Sequence, residues 1–532
     1  MSQPAQLVVA PILAALVTAV LTIVTRRWPR LQRGLSLLGG VAYLGLVGLL
    51  AERVLSAGAA TYQLSMWRPP FGIVLVADAL AVFMLGIAGV VGLATLAYSA
   101  LSLGEFSQRV GYHPLFHFML IGVSGAFLTG DIFNLFVWFE VMLMPSYVLV
   151  TFYSGPEHTR AGIQYTVLNL VGSAVMLVSI GGLYATTGTL NMADIARRLA
   201  DPAAPAIDPL PVLGLSAILL AVFALKAGIV PFQFWVPAAY RAAPPPITAF
   251  LAGVTKKVGV YAIVRLCFTI LGGASLARPL DLPGFDGAAF LAFFGPVLFL
   301  MAAGSILLGG VGAVNRDDVD GVLAYSSIGQ VGFIVLPLAV AATASGPVRA
   351  IGVLAALVYT LNHALAKSAL FLLSGAIEDR TGTGDLAALG GLAGGAPVLA
   401  GGFFVGALAL VGIPPLAGFF GKLLVFQTAV EAGVGGATAA WLALVVALVG
   451  AVLTIAYLGR LWNLAFWGEV ESVIAGPNRT RWGLAAVCLT LVAGVVIVGV
   501  GFEPVYRTAR AAATAALDRG AYVDAVDPGV VG

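Results

Sequence analysis

Apolar runs of about 18 to 25 residues recur from one end of the chain to the other, each the length that carries an α-helix across a bilayer. About 14 such runs can be marked, starting near residues 7, 35, 74, 112, 132, 163, 210, 245, 290, 321, 349, 396, 438 and 482. The chain is 60% hydrophobic and only 10% charged, which no water-soluble domain could absorb. Membrane strands would alternate polar and apolar residues, and these runs do not. The expected fold is an all-α polytopic membrane protein with short connections and no extramembrane domain. The tail after Gly501 reads as a weak amphipathic or disordered end.

The opening MSQPAQ lacks the basic region of a signal peptide, so the first run is expected to stay as a membrane helix. Arg26, Arg27, Arg30 and Arg33 lie between the first two runs. The positive-inside rule puts that loop in the cytoplasm and both termini outside. A net charge of +3 with no basic cluster argues against a nucleic-acid partner. Cys267 and Cys488 sit in apolar runs and read as packing residues.

The chain repeats itself internally. YTVLNLVGSAVMLVSIGG from Tyr165 matches YTLNHALAKSALFLLSG from Tyr359, and Thr187-Gly188-Thr189 matches Thr381-Gly382-Thr383 at the same offset. GIVP, ending at Pro231, resembles GIPP, with Pro414 and Pro415, at a similar offset. Two halves of about five helices therefore share a pattern, each with a proline-broken helix. Paired, interrupted helices in corresponding positions point to a transport site. The expected organisation is three helices over 1–110, a first repeat over 111–275, a second over 286–470, and a last helix with its tail over 471–532.

Of 27 basic residues only five are lysine: Lys226, Lys256, Lys257, Lys367 and Lys422. All five fall in apolar segments, while arginine fills nearly all the loop positions. Arginine keeps its proton under nearly all conditions, whereas a buried lysine can release it. That contrast marks the lysines as candidates for proton transfer. Glu140 is the exceptional carboxylate. In a helix starting at Asp131 it lies about 13 Å along the axis, near the middle of a hydrocarbon core about 30 Å thick. It must be protonated or paired there, and Lys226 is the partner expected. Bringing the two together holds the lysine's proton, and separating them frees it.

His363 and Lys367 are spaced i, i+4 and share a helix face. Lys256 and Lys257 are adjacent, so they are not expected to face one pathway together. Lys422 follows the second break and could end a chain. Asp78 and Asp131 read as helix caps. His113 and His117 lack a set of further ligands, so no metal site is expected. No flavin, haem or iron–sulfur motif appears, and no cofactor is expected.

The stretches TGDIFNLFVWFEVMLMPSYVLV, FALKAGIVPFQFWVPAAYRAAPPPITAFLAGVTKKVGVYAIVR, AYSSIGQVGF, NHALAKSALFLLSG and GIPPLAGFFGKLLVF resemble the antiporter-like family. That family includes proton-pumping membrane subunits of respiratory complex I and large subunits of Mrp-type cation/proton antiporters. Over roughly residues 70 to 470 the likeness implies two inverted five-helix repeats with two broken helices. GDIFNLFVWFEV is most similar to the D-type Mrp branch. The resemblance implies roles for Glu140, for Lys226 of the first broken helix, and for Lys257 rather than Lys256. It implies roles also for His363, Lys367 and Lys422, with Ser326, Ser327 and Gln330 hydrating the route between them.

The function this implies is proton movement along the membrane midplane within a multi-subunit monovalent cation (Na⁺)/proton antiporter of the bacterial cytoplasmic membrane. The partners are its other subunits, protons, Na⁺ and the lipid bilayer. The alternatives are a non-redox pumping subunit of a quinone-reducing complex or membrane-bound hydrogenase, and a solitary transporter.

Overall fold

The computed structural model describes residues 3–64, 67, 71–153, 155–200, 207–280, 285, 287–470 and 480–526. The expected boundary at 286 and the stretch 471–479 therefore lie outside the described residues, as do 527–532. Helices α1 (Gln3–Val24), α2 (Pro29–Ala57) and α3 (Ala79–Ser102) open the chain. After the short α4 (Glu105–Arg109) come α5 (Tyr112–Leu128), α6 (Ile132–Val150), α7 (Pro156–Thr187) and the short α8 (Met192–Arg198). Next are α9 (Pro209–Ala227), α10 (Trp235–Ala242), α11 (Pro245–Phe250) and α12 (Lys256–Ile263). The second half holds α13 (Phe290–Val314), α14 (Val319–Thr343), α15 (Gly346–Thr381), the short α16 (Leu392–Gly395), α17 (Pro397–Val411), α18 (Ala417–Val434) and α19 (Thr438–Ala465). The chain closes with α20 (Trp482–Val500), α21 (Phe502–Leu517) and α22 (Arg519–Val526).

Among the described residues twelve helical stretches are long and apolar enough to cross a bilayer, and Tyr112–Leu128 and Pro397–Val411 are shorter apolar helices. Together they match the expected spans one for one, and the protein is a multi-pass membrane protein. One departure from expectation concerns the end of a span. The third helix starts at Ala79, because Val74–Ala77 is a strand paired antiparallel with Ala60–Gln63. The continuous apolar run Val74-Leu75-Val76-Ala77, buried at every position, suits a short strand as well as a helix. Asp78 fixes the boundary, since its carboxylate accepts from the Ala81 N–H at 2.8 Å as an N-cap. From Phe502 to Val526 the tail is two helices, the amphipathic alternative of the expectation. Ala509, Ala512, Ala513 and Ala516 of α21 are buried against the bundle, and Ala516 O accepts from Thr269 Oγ1 at 2.8 Å. Alanines at this spacing make one flat face of the helix, which docks closely.

The sequence repeat has a structural counterpart. In the first half Ile132 N donates to Leu190 O and Met192 N to Gly130 O, both at 2.9 Å. In the second half Val319 N donates to Gly384 O and Leu386 N to Asp317 O, again both at 2.9 Å. Asp131 and Asp318 cap the helices that follow, α6 and α14. These are the fifth and tenth spans, with four crossings between them, so they run in opposite directions.

Small residues set the closest contacts, as expected where apolar surface alone does not drive helix association. A Cβ on Gly259 would lie 2.5 Å from Phe223 O, so α12 presses on the backbone of α9. A Cβ on Gly253 would meet Ser368 Oγ at 2.1 Å, which brings the start of this span against α15. The span Pro245–Ile270 is consequently buried along its length, and α14 nearly so. It is helical throughout but widened by π-turns at Leu251–Thr255 and Val264–Ile270. The outward face of α7, with Val167, Val171 and Val178, is exposed apolar surface.

One buried ion pair ties this central span to the rest. Arg265 Nη2 lies 2.7 Å from Asp78 Oδ2, and its guanidinium stacks 4.7 Å from the Tyr522 ring of α22. Asp78→Ala leaves a buried guanidinium unpaired and removes a cap, so it should cost about 3–5 kcal/mol. Arg507→Ala breaks the exposed Glu503–Arg507 pair and should cost at most about 1 kcal/mol. Thermal denaturation of both variants in detergent checks the contrast.

Candidate functional site

Both proline breaks begin at a left-handed glycine. Gly228, at φ 66, ends α9, and Gly412, at φ 93, ends α17. The peptide bonds Val230–Pro231 and Pro414–Pro415 are cis. A break strands backbone groups in a medium without water, and each needs a partner. At the first, the Trp235 indole donates to Leu225 O at 2.7 Å, and Val230 N donates to Ser305 Oγ of α13 at 2.9 Å. At the second, Lys422 Nζ donates to Val411 O at 3.1 Å and Asn362 Nδ2 to Ala409 O at 3.4 Å. Lys422 is thus itself part of the break, and its Nζ also stands 4.7 Å from the Phe333 ring centre.

Lys226, one turn before the first proline, is buried and donates to Asn169 Oδ1 at 3.3 Å and Ser173 Oγ at 3.4 Å, both on α7. Its ammonium lies 5.6 Å from the Phe139 ring centre. Glu140, half-buried on α6, accepts a short hydrogen bond from the same Ser173 hydroxyl. The expected direct Glu140–Lys226 contact is therefore absent. Ser173 stands between them, accepting from the ammonium and donating to the carboxylate.

In the centre, Lys257 Nζ donates to Ala252 O at 2.7 Å and lies 2.5 Å from His363 Nδ1. One turn further along α15, Lys367 donates to Leu323 O at 2.9 Å and to Ser326 Oγ at 2.8 Å. The Ser326 hydroxyl donates to Tyr457 OH at 2.7 Å, and Gln330 Nε2 donates to the same oxygen at 2.8 Å and to Thr454 Oγ1 at 3.1 Å. Tyr359 OH donates a short hydrogen bond to Gln330 Oε1. Its ring borders Gly421, the neighbour of Lys422, where a Cβ would come within 2.7 Å. The polar links thus run from Lys367 to the doorstep of the second break.

Lys256 departs from expectation. It is as buried as Lys257 and does not point away from the cluster: its Nζ is 3.4 Å from both the carbonyl and the hydroxyl oxygen of Ser327. The separation of adjacent side chains is real, but on a span buried on all sides both directions lead to polar partners.

Asn169, Ser173, Thr454 and Tyr457 do not stand out from sequence alone. Two of them carry a signal. Asn169 and Ser173 occupy, at the offset of Tyr165 and Tyr359, the places of His363 and Lys367. Thr454 and Tyr457 are polar residues on one face of an otherwise apolar helix, a weaker sign. His113 and His117 are buried and bracket Ser36 Oγ at 3.0 Å each, which ties α5 to α2.

The family described as NADH:quinone oxidoreductase/Mrp antiporter, TM, matches residues 129–454. The chain is 34% identical to the D subunit of the Na⁺/H⁺ antiporter of Alkalihalophilus pseudofirmus, over 98% of this chain and 99% of that protein. The chain belongs to this family. It is also 33% identical to the N subunit of the NADH-quinone oxidoreductase of Desulforudis audaxviator, over 92% of this chain and 94% of that one. Among solved structures, a chain of the Mrp complex from Dietzia sp. DQ12-45-1b superposes with a TM-score of 0.85 at 28% identity, covering 99% of this chain and 100% of that one. The family match begins just before α6 and ends within α19, enclosing all the lysines described above.

The break geometry gives a direct test of the fold of the site. A Cβ on Gly228 would meet Val236 Cγ2 at 2.6 Å, besides the left-handed backbone. Gly228→Ala should lose about 1–2 kcal/mol from the backbone alone and more from the contact. Gly45→Ala, in the middle of α2 with open space around it, should leave stability unchanged or slightly raised. Thermal unfolding in detergent separates the two.

Proposed function

We propose that the chain is the D-type, proton-translocating component of a multi-subunit monovalent cation/proton antiporter in the bacterial cytoplasmic membrane. Protons move along the file Glu140, Lys226, Lys257, His363 with Lys367, and Lys422, joined by Ser173, Ser326 and their neighbours. The observation that carries this reading is the file itself. Buried amines stand between the first break and the second, three of them held by hydroxyls that can both accept and donate, and Glu140 shares one of those hydroxyls with Lys226. A fixed structural network in a membrane would pair cations with carboxylates. Lysines held by neutral oxygens can lose and regain protons without breaking an ion pair.

Each break brings the file beside backbone groups that need polar company, so each is a natural mouth for water. The mouths open to opposite sides because the halves are inverted. The repeats run over 111–275 and 286–470, with the helices of 1–110 before them and 471–532 after. The loop of Arg26, Arg27 and Arg30, exposed between α1 and α2, faces the cytoplasm and puts both termini outside. Exchange of Na⁺ belongs to the assembled complex, whose other subunits are the partners of this chain.

The experiment uses everted vesicles containing the whole complex, with a pH gradient generated by a separate respiratory donor. Adding Na⁺ should collapse the gradient. Lys226→Ala should abolish the response with the complex still assembled, and full activity in that variant would sink the mechanism. Absence of any response to Na⁺ or other monovalent cations in the wild type would favour the redox-linked pump instead. Ser173→Ala removes a hydrogen bond to each of two charged groups, worth about 1.5–3 kcal/mol apiece. The initial rate should fall at least tenfold or so, and Ser173→Thr, which keeps the hydroxyl, should recover most of it.

A further inference from the structure

The file above has a gap. Lys226 is held by α7, while Lys257 is held by His363 of α15 and by its own helix. Among the described residues no hydrogen bond joins the two groups. Lys256 occupies the space between them. Its Cε and Nζ lie against Gly228 so closely that a Cβ there would sit 3.0 and 3.2 Å away. Gly228 is two residues beyond Lys226, at the break itself. On its other side the ammonium reaches Ser327, the neighbour of the Ser326 that holds Lys367.

The contacts of Lys256 are also of an unusual kind. Both hydrogen bonds are 3.4 Å long, and the Tyr240 ring centre is 5.9 Å away. Among the described residues no carboxylate stands within 4.0 Å of it. A fully buried amine held this loosely is costly, and methionine would fill the same length without the cost.

The repeat sharpens the point. Ser327 follows the cap Asp318 by the same interval that separates Glu140 from the cap Asp131. In the first half the helix after the cap offers a carboxylate toward Lys226 through Ser173. In the second half the equivalent place is a neutral hydroxyl, and Lys256 is the amine that meets it.

We infer that Lys256 is a proton-carrying station that joins the first helix break to the central lysine group. This rests on the proton-transport reading above. The step is a proton transfer only. An N–H bond of the Lys226 ammonium breaks, one forms on the neutral amine of Lys256 through water admitted at the break, and the proton passes on toward Ser327 and the Lys257–His363 pair. The adjacent lysines thus divide the work: Lys256 faces the break and Lys257 faces α15.

The test is the same vesicle assay on the whole complex, with Lys226→Ala in parallel and assembly read by co-purification of the partner subunits. Lys256→Met should slow the cation-driven collapse of the gradient by on the order of a hundredfold, the usual weight of a lost proton-transfer group. Lys256→Arg should be equally slow, because a guanidinium keeps its proton. Lys256→His should recover part of the rate, because imidazole exchanges one. If Lys256→Met does not assemble, Lys256→Gln takes its place. Ser327→Ala, which leaves the lysine intact, should slow the rate by a smaller factor. Wild-type rates in Lys256→Met, or full recovery in Lys256→Arg, would overturn the inference and leave a packing group or a fixed charge. A responsive wild type and a dead Lys226→Ala beside an unaffected Lys256→Met would remove this inference alone. A wild type without cation response would remove the transport reading and this inference with it.

Discussion

A peptide group without a partner in hydrocarbon costs several kcal/mol, and the interior of this protein is arranged around that cost. Two helices are broken, and at both breaks the stranded groups are met individually. An indole serves Leu225 O, a serine hydroxyl serves Val230 N, an ammonium serves Val411 O, and an amide serves Ala409 O. These partners come from α10, α13, α18 and α15, so the neighbours of each break are fixed by the break. The lysines then inherit a setting that already contains oriented oxygens. A broken helix here is the frame on which a buried charge can be carried at all.

The two halves share that frame but are furnished differently. The cap, the bridge between cap and following loop, and the left-handed glycine recur in each. The side chains between them do not. Asn169 and Ser173 stand where the second half has His363 and Lys367, and Glu140 stands where it has Ser327. The first repeat therefore holds three amines, one of them, Lys226, next to a carboxylate. The second holds two, Lys367 and Lys422, on hydroxyl and carbonyl oxygens. A repeat can keep its backbone and redistribute its charge because helix packing depends on the glycines and alanines, while the chemistry depends on a few interior positions.

What is legible in the sequence follows the same division. The spans, the breaks and the buried lysines can be read because hydropathy, proline and charge are strong signals in a membrane chain. Sequence reasoning brings Glu140 and Lys226 into one neighbourhood but does not find Ser173 between them, because a serine carries no weight until its place in the fold is known. It sets Lys256 aside on helix geometry that is sound for a helix with one polar side. The span that Lys256 occupies is buried all round, which no local pattern reveals. The α21 helix is read only as a weak amphipathic or disordered end, because nothing local shows that four of its alanines dock on the bundle.

The hydrogen bonds of the polar file join neighbouring helices: α6 to α7, α7 to α9, α12 to α14 and α15, α15 to α14, and α14 to α19. Few of them climb along one helix. Charge handed through such a file is displaced across the bundle, at right angles to the membrane electric field. The transmembrane voltage does about 2.3 kcal/mol of work on each elementary charge per 100 mV, but only on motion along the field. Lateral transfer is therefore almost indifferent to voltage. On the proposed route, the electrical sensitivity would lie in the legs that lead from the breaks to the aqueous phases.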